Sequence, residues 1–262
     1  MRIATWNINS VRMRAGHLER LDELASPDVV CLQETKVVDE LFPHDAVADL
    51  YPHRHVRGMK AYNGVAILSK LPFTAKGGRD WCGREDARHI SVKVAGGIEI
   101  HNFYVPAGGD VPDPKKNDKF AHKLAFLDEM TNWLGEIASP RAKRVLVGDL
   151  NIAPLESDVW SHKQLRDVVS HTEVEVDALA RVQGAHDWVD AVRHFAPEDE
   201  KLASWWSYRA KDWRASDRGR RLDHVWVTPP LKSKLRSYEI LRDARDWEKC
   251  SDHAPVIVEI DA

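Results

Sequence analysis

The chain has 262 residues, 43% hydrophobic and 30% charged, a globular balance with length enough for a sizeable core without covalent staples. Its 38 Lys and Arg against 41 Asp and Glu leave a net charge of −3. That excludes a protein that coats nucleic acid through uniform positive charge, while leaving room for a local basic groove. Cys31, Cys82 and Cys250 are widely spaced, with no Cys-x-x-Cys or Cys/His pattern, so neither a disulfide framework nor a zinc site is expected and a reduced, cytoplasmic protein is the natural reading. No apolar run reaches the roughly 18 residues of a membrane span, and the N-terminal segment lacks a signal-peptide core.

In chain order, apolar runs predict strands over Ile3–Ile8, Val29–Gln33, Gly64–Leu68, Ile90–Val94, Ile98–Tyr104, Val145–Gly148, Leu222–Val227 and Val256–Ile260. Gly96 and Gly97 supply the positive φ of a tight hairpin between the fourth and fifth of these. Helices are predicted over His17–Ala25 and Asn117–Ala138. In the second, Phe120, Leu124, Leu127, Leu134 and Ile137 recur at helical spacing and form a core-facing stripe. Pro106–Pro114 and Arg209–Gly219 read as loops, neither long enough to divide the chain. Residues 1–262 therefore read as one domain, an α/β sandwich in which mixed sheets are covered by helices.

Polar residues interrupt the apolar runs at particular places. Asn7 and Asn9 end the first strand, Gln33 and Glu34 the second, Tyr104 the fifth, and Asp149 and Asn151 the sixth. Ligands gather at the carboxyl ends of strands in open α/β sheets. Asp223 and the pair Asp252–His253 stand at strand beginnings instead, and join the same edge only if their strands run antiparallel to the others. Taken singly, each is what a solvated turn or helix cap supplies. Together, Glu34, Asp149, Asp223 and Asp252 would repel strongly in one cleft unless a cation neutralised them. Oxygen donors without cysteine favour a hard divalent ion, Mg²⁺ or Mn²⁺. The remaining groups suit in-line attack of water on a phosphoester. Asp149 takes the water proton, Asn151 orients the water, and His253, held by a carboxylate such as Asp223, polarises the phosphate.

The segments TWNINSVR, CLQETK, GVAILSK, YVPAGG, GDLNIAP, SWWSYR, GRRLDHVWV and SDHAPV resemble, in order and spacing, those of the exonuclease III-type apurinic/apyrimidinic endonucleases. These belong to the wider endonuclease/exonuclease/phosphatase superfamily. The resemblance implies a four-layered α/β sandwich with two mixed β-sheets flanked by helices. It implies a Mg²⁺ site, with Mn²⁺ as substitute, drawn from Asn7, Glu34, Asp149, Asn151 and Asp252, with Asn9 touching the metal indirectly. Tyr104, Asp149, Asn151, Asp223 and His253 take the catalytic positions. Trp205, Trp206 and Tyr208 lie in the segment that walls the pocket for a flipped-out, base-less deoxyribose. The implied reaction is hydrolysis of the phosphodiester 5′ to abasic sites in double-stranded DNA, accompanied by 3′→5′ exonuclease or 3′-end cleaning, by a protein acting as a monomer. The alternative is a superfamily phosphodiesterase or phosphatase acting on RNA, an inositol phosphate or a phospholipid. A non-catalytic binding module is disfavoured because no expected catalytic position is missing. Ala107 departs from the pattern, standing where many relatives carry a polar Asn or Gln.

Between Trp205 and Leu222, six basic residues, Arg209, Lys211, Arg214, Arg218, Arg220 and Arg221, face two acidic ones, Asp212 and Asp217, with three tryptophans interleaved. Such a segment neutralises phosphates and stacks on bases or sugars, and from it Arg209 and Arg214 are expected to bind DNA. Arg12, Met13 and Arg14 form a second expected DNA contact, an apolar wedge flanked by arginines.

Overall fold

The computed structural model describes residues 1–261. Its strands in chain order are β1 (Arg2–Asn7), β2 (Val29–Gln33), β3 (His53–Arg57), β4 (Val65–Ser69), β5 (Phe73–Gly78), β6 (His89–Val94), β7 (Glu99–Tyr104), β8 (Arg144–Asp149), β9 (Val189–Asp190), β10 (Trp205–Trp206), β11 (Gly219–Arg220), β12 (Asp223–Val227), β13 (Leu235–Ile240) and β14 (Val256–Ile260). They form two mixed six-stranded sheets, ordered β13-β14-β1-β2-β4-β3 and β5-β6-β7-β8-β12-β9, and a small β10-β11 ribbon.

Period-two side-chain alternation builds the layers. Ile3, Val29, Cys31, Ile67 and Val258 of the first sheet meet Val92, Ile100, Val145, Val147 and Val225 of the second in one central core. The opposite face of the first sheet, with Ala4, Trp6, Val30 and Leu32, is covered by Leu18 and Leu21 of the helix Gly16–Ala25 and by Trp247. The outer face of the second sheet, with Phe103, Leu146 and Trp226, is covered by the helices Asp118–Glu136 and Glu173–Gly184. Helix, sheet, sheet, helix: these are the four layers expected.

All eight expected strands form, as do both helices. The hairpin forms with Gly96 and Gly97 at φ of 79° and 75°. In the long helix, Asn117 caps the first turn by accepting from the Lys119 amide. The apolar stripe is corrected at one position. Leu124 is only half-buried, and the fully buried place on that face belongs to Lys123, beside Phe120, Phe126, Leu127 and Met130.

Strands β3, β5 and β13 had no apolar signature because they are sheet edges, with half-exposed sequences such as HRHVR and LRSYEI. The helix Glu173–Gly184 did carry a signal. Thr172 and Glu175 form a capping box, a Thr-x-x-Glu spacing legible in the sequence.

Candidate active site

Strand direction decides which polar residues meet. Parallel pairing of β7 with β8 sets Tyr104 opposite Asp149. Antiparallel pairing of β12 with β8 sets Asp223 opposite Asp149 from the other side. In the first sheet, β1 runs parallel to β2 and antiparallel to β14, which brings Asn7, Glu34 and the Asp252–His253 turn together. Gly148 permits the close approach of β7 and β8 just before Asp149. It sits at φ 145°, and a Cβ there would lie 1.8 Å from the Phe103 carbonyl oxygen. Asn9, Glu34 and Asn151 each follow a strand end with φ near +50° (48°, 52° and 55°). This costs a residue without asparagine's tolerance on the order of 1–3 kcal/mol and marks positions held by their surroundings.

The two sheets are joined at this mouth by side chains. Asn7 Nδ2 donates to Glu34 Oε1 and to Asp149 Oδ2, both at 2.9 Å. The Tyr104 hydroxyl donates to Glu34 Oε1 at 2.7 Å. The Asn151 amide donates to Asp149 Oδ1 at 2.9 Å, and Asn151 Nδ2 to the Val105 carbonyl at 2.9 Å. Asp223 Oδ2 lies 2.8 Å from His253 Nδ1 and accepts from Ser204 Oγ at 2.6 Å. The opposite ring nitrogen, His253 Nε2, lies 3.7 Å from Asp149 Oδ2. Asp252 accepts from Asn9 Nδ2 at 3.0 Å and from Trp205 Nε1 at 2.9 Å.

Electrostatics follow from this packing. Burial pushes Asp149 up to about 7, helped by Asp223 and Glu34 and opposed by His253. Burial disfavours charge on His253, yet Asp223 and Asp149 outweigh it and raise the imidazole to about 10, so the ring is cationic at neutral pH. Tyr104 is held well above its ordinary value by burial and by Glu34 and Asp149, and remains a neutral donor. Burial would raise Glu34, but the Lys36 ammonium holds it below the usual carboxylate range.

These groups also test the fit of a divalent cation. Asp149, Asp223 and His253 have ligand atoms within 4.8 Å of one another, but the imidazole in that trio is already engaged with Asp223 through Nδ1 at 2.8 Å. The oxygen-only part of the mouth fits better. Lys36 Nζ lies 2.7 Å from Glu34 Oε2 and 2.6 Å from Asn9 Oδ1, so a positive charge already sits between those two residues. Asp223 Oδ1 is buried with no partner. Carboxylates clustered this closely suit a hard divalent cation. Asn7, with its nitrogen toward the carboxylates and Oδ1 accepting from the Asn9 amide at 3.1 Å, bridges Glu34 and Asp149 here. Both Asp252 oxygens are likewise taken by donors.

The expected DNA-facing residues divide. Arg12 is exposed and Met13 is 61% exposed, but Arg14 is buried, donating to the carbonyls of Ile8, Asn9, Lys249 and Cys250. The arginine-flanked wedge is therefore corrected to Arg12 and Met13 alone. Arg209 and Tyr208 are exposed, and Trp205 is half-buried. Trp206 is 1% exposed, packed on Trp213 and bonded to Asp217, so its ring offers no wall to a ligand. Arg214 is paired with Asp243 and Asp246, which removes most of the free charge expected there. Arg221 is fully buried with Asp158 and Asp190, and Arg220 lies over the Trp205 ring, donating to Val169 O and Ser170 Oγ.

Sequence reasoning missed Lys36, Ser204 and Arg88, whose guanidinium lies 4.9 Å from the Tyr104 ring centroid. Lys36 stood in the CLQETK segment, two residues after Glu34, and its proximity was a readable signal. A cleft of about 570 Å³ opens beside Tyr104, lined by Arg84, Arg88, Lys119 and Ala107 among others. The small side chain of Ala107 is exposed there.

Two sheets that bring carboxylates, amides and a protonated Asp-bound histidine to one mouth define a hydrolase of phosphoesters. Residues 4–253 match the Endonuclease/Exonuclease/phosphatase family, and the chain belongs to it. It is 30% identical over 270 residues to exodeoxyribonuclease III of Haemophilus influenzae, covering 99% of each chain. Identity to an exodeoxyribonuclease of Bacillus subtilis is also 30%, over 98% of each chain. Among solved structures, an AP endonuclease from Archaeoglobus fulgidus superposes with TM-score 0.92 at 32% identity, covering 100% of both chains. The 3′–5′ exonuclease NExo of Neisseria meningitidis superposes with TM-score 0.91 at 28% identity, again over 100% of both. Among the described residues, no helix is long and apolar enough to cross a membrane.

Proposed function

We propose that this protein is a Mg²⁺-dependent DNA repair nuclease that hydrolyses the phosphodiester 5′ to abasic sites in duplex DNA and removes nucleotides or blocking groups from 3′ ends, acting as a monomer. The observation that carries this reading is the linked set Asp223–His253–Asp149–Asn7–Glu34–Tyr104 at one mouth. It is supported by full-length similarity to relatives named as exodeoxyribonucleases and AP endonucleases.

In this reading Asp149 takes a proton from the attacking water. Asn151, pinned by its own amide to Asp149, holds that water in line. His253 is kept cationic by Asp223 and faces the phosphate oxygen on which negative charge grows. Tyr104 offers its phenolic hydrogen from the opposite side. Glu34 and the neighbouring carboxylates would hold a Mg²⁺ ion, which would supply charge neutralisation at the phosphate and the leaving oxygen. Trp205 walls the sugar pocket, while Arg12, Arg209 and Tyr208 meet the DNA strand; of the residues expected to touch DNA, these keep exposed surface that is not already spent in an ion pair, as that of Arg214 is.

The test is a duplex carrying one tetrahydrofuran abasic analogue, incubated with and without Mg²⁺. Cleavage 5′ to the analogue, only with metal, is the expected result. No cleavage under conditions where a control AP endonuclease works overturns the reading.

A further inference from the structure

Lys123 is the one lysine on the buried face of the helix Asp118–Glu136, and its side chain is 0% exposed. Methionine or leucine would continue the apolar stripe without the cost of burying a charge. The lysine instead uses all three N–H donors. Nζ donates to Glu175, to the Asn151 carbonyl at 2.8 Å and to the Ala107 carbonyl at 3.3 Å. Glu175, also 0% exposed, accepts in turn from the Ser170 and Thr172 amides and from Thr172 Oγ1.

One ammonium thus ties together the loop after β7, the loop after β8 and the start of the helix Glu173–Gly184. The first two carry Ala107 and Asn151, and they are joined again by the bond from Asn151 Nδ2 to Val105 O. Gly108 lies directly on the lysine stem, and a Cβ there would stand 2.9 Å from Lys123 Cδ. The bonds run to backbone carbonyls, so what they fix is loop position.

We propose that Lys123, with Glu175 as its counter-ion, is a positioning residue that sets Asn151 and the Val105–Gly109 loop at the reactive phosphate. The assignment rests on the nuclease reading for the reaction it affects, while its effect on the loops stands apart from that reading. Lys123 touches no substrate, and the bond between Asn151 and Asp149 depends on it through the loop.

Two measurements on the full-length protein test this. In Lys123→Met, hydrogen exchange in peptides spanning Val105–Gly109 and Leu150–Pro154 should quicken by about tenfold, with the central strands unchanged. Single-turnover cleavage of the abasic duplex should slow by about 10²-fold with KM within about threefold of wild type, the signature of a misplaced group rather than lost binding. Arg181→Ala is the control. It removes an exposed ion pair to Asp128 between the same two helices and should alter neither reading. If Lys123→Met fails to fold, the charge-neutral pair Lys123→Met/Glu175→Gln replaces it under the same expectations. Unchanged loop exchange, or faster exchange with unchanged cleavage, overturns the proposal. Absence of cleavage by the wild-type protein overturns the nuclease reading, and loop exchange then decides the strut alone.

Discussion

Two buried charge clusters stand two residues apart on one stretch of chain, and they are built on opposite principles. Around Arg221, charges balance. Its guanidinium donates to both oxygens of Asp158 at 2.7 and 3.0 Å and to Asp190 at 2.7 Å, and Arg193 adds a second cation on Asp158 at 2.6 Å. Around Asp223, charges do not balance. Asp223, Asp149, Glu34 and Asp252 face one imidazolium and one ammonium, and Asp223 Oδ1 is left without a partner. The first cluster is complete in itself and locks β12 to its surroundings. The second is complete only with added positive charge, and that deficit is what a catalytic mouth for phosphate chemistry uses.

Substitutions should separate the two sharply. Asp149→Asn or His253→Ala should lower single-turnover cleavage by about 10³-fold or more while DNA binding, read by anisotropy, persists. Retained turnover in both would erase the functional half of the contrast. Arg221→Met should do the reverse. Leaving Asp158 and Asp190 buried with less compensation should cost about 3–5 kcal/mol in urea unfolding, with the folded fraction still active.

Divalent metal sharpens the comparison further. At 100-fold excess over its dissociation constant, Mg²⁺ should stabilise the wild type by about 2.7 kcal/mol. Glu34→Gln should abolish most of that gain, whereas the Arg221→Met variant should keep it. Equal gains in wild type and Glu34→Gln would place the cation elsewhere.

The clusters should also fail at opposite ends of the pH scale. His253 is raised from 6.5 to about 10, so its contribution is full below its unfolded value and fades as pH rises through about 10. Asp158 is depressed, with burial opposing and Arg221 and Arg193 prevailing. Its contribution is present above the ordinary aspartate value of about 3.9 and is lost as pH falls below that. Urea midpoints across both windows, with His253→Ala flattening only the alkaline one, would show this. The smallest effect belongs to the surface. Arg214→Ala removes exposed, solvent-screened pairs to Asp243 and Asp246 and should leave the urea midpoint indistinguishable from wild type.

Much of the site was legible because its residues interrupt apolar runs. Asn7, Glu34, Tyr104, Asp149 and Asp223 each sit where a buried strand turns polar, and a polar group there needs a reason. The segment Trp205–Leu222 was misread in part because composition counts charges without their partners. Arg221 and Arg214 were already spent on carboxylates far along the chain, and Trp206 faced inward. Lys123 was hidden for the converse reason. It lies on the apolar stripe of its helix, and a lone lysine there reads as a tolerated exception until the carbonyls of two loops are seen to close on it.

By itself, the order of amino acids determined the central strands, the two helices that carry a clear apolar face, and the chemical types available at strand ends. Those follow from local periodicity and from the cost of burying polar groups, both properties of neighbours in sequence. Only the tertiary structure decided that β12 and β14 run antiparallel to β8 and β1, which brings Asp223 and His253 to Asp149. It alone decided which cations are free and which are paired. Charge pairing acts across space and falls off with distance, so it depends on residues that the fold, and not the chain, makes adjacent.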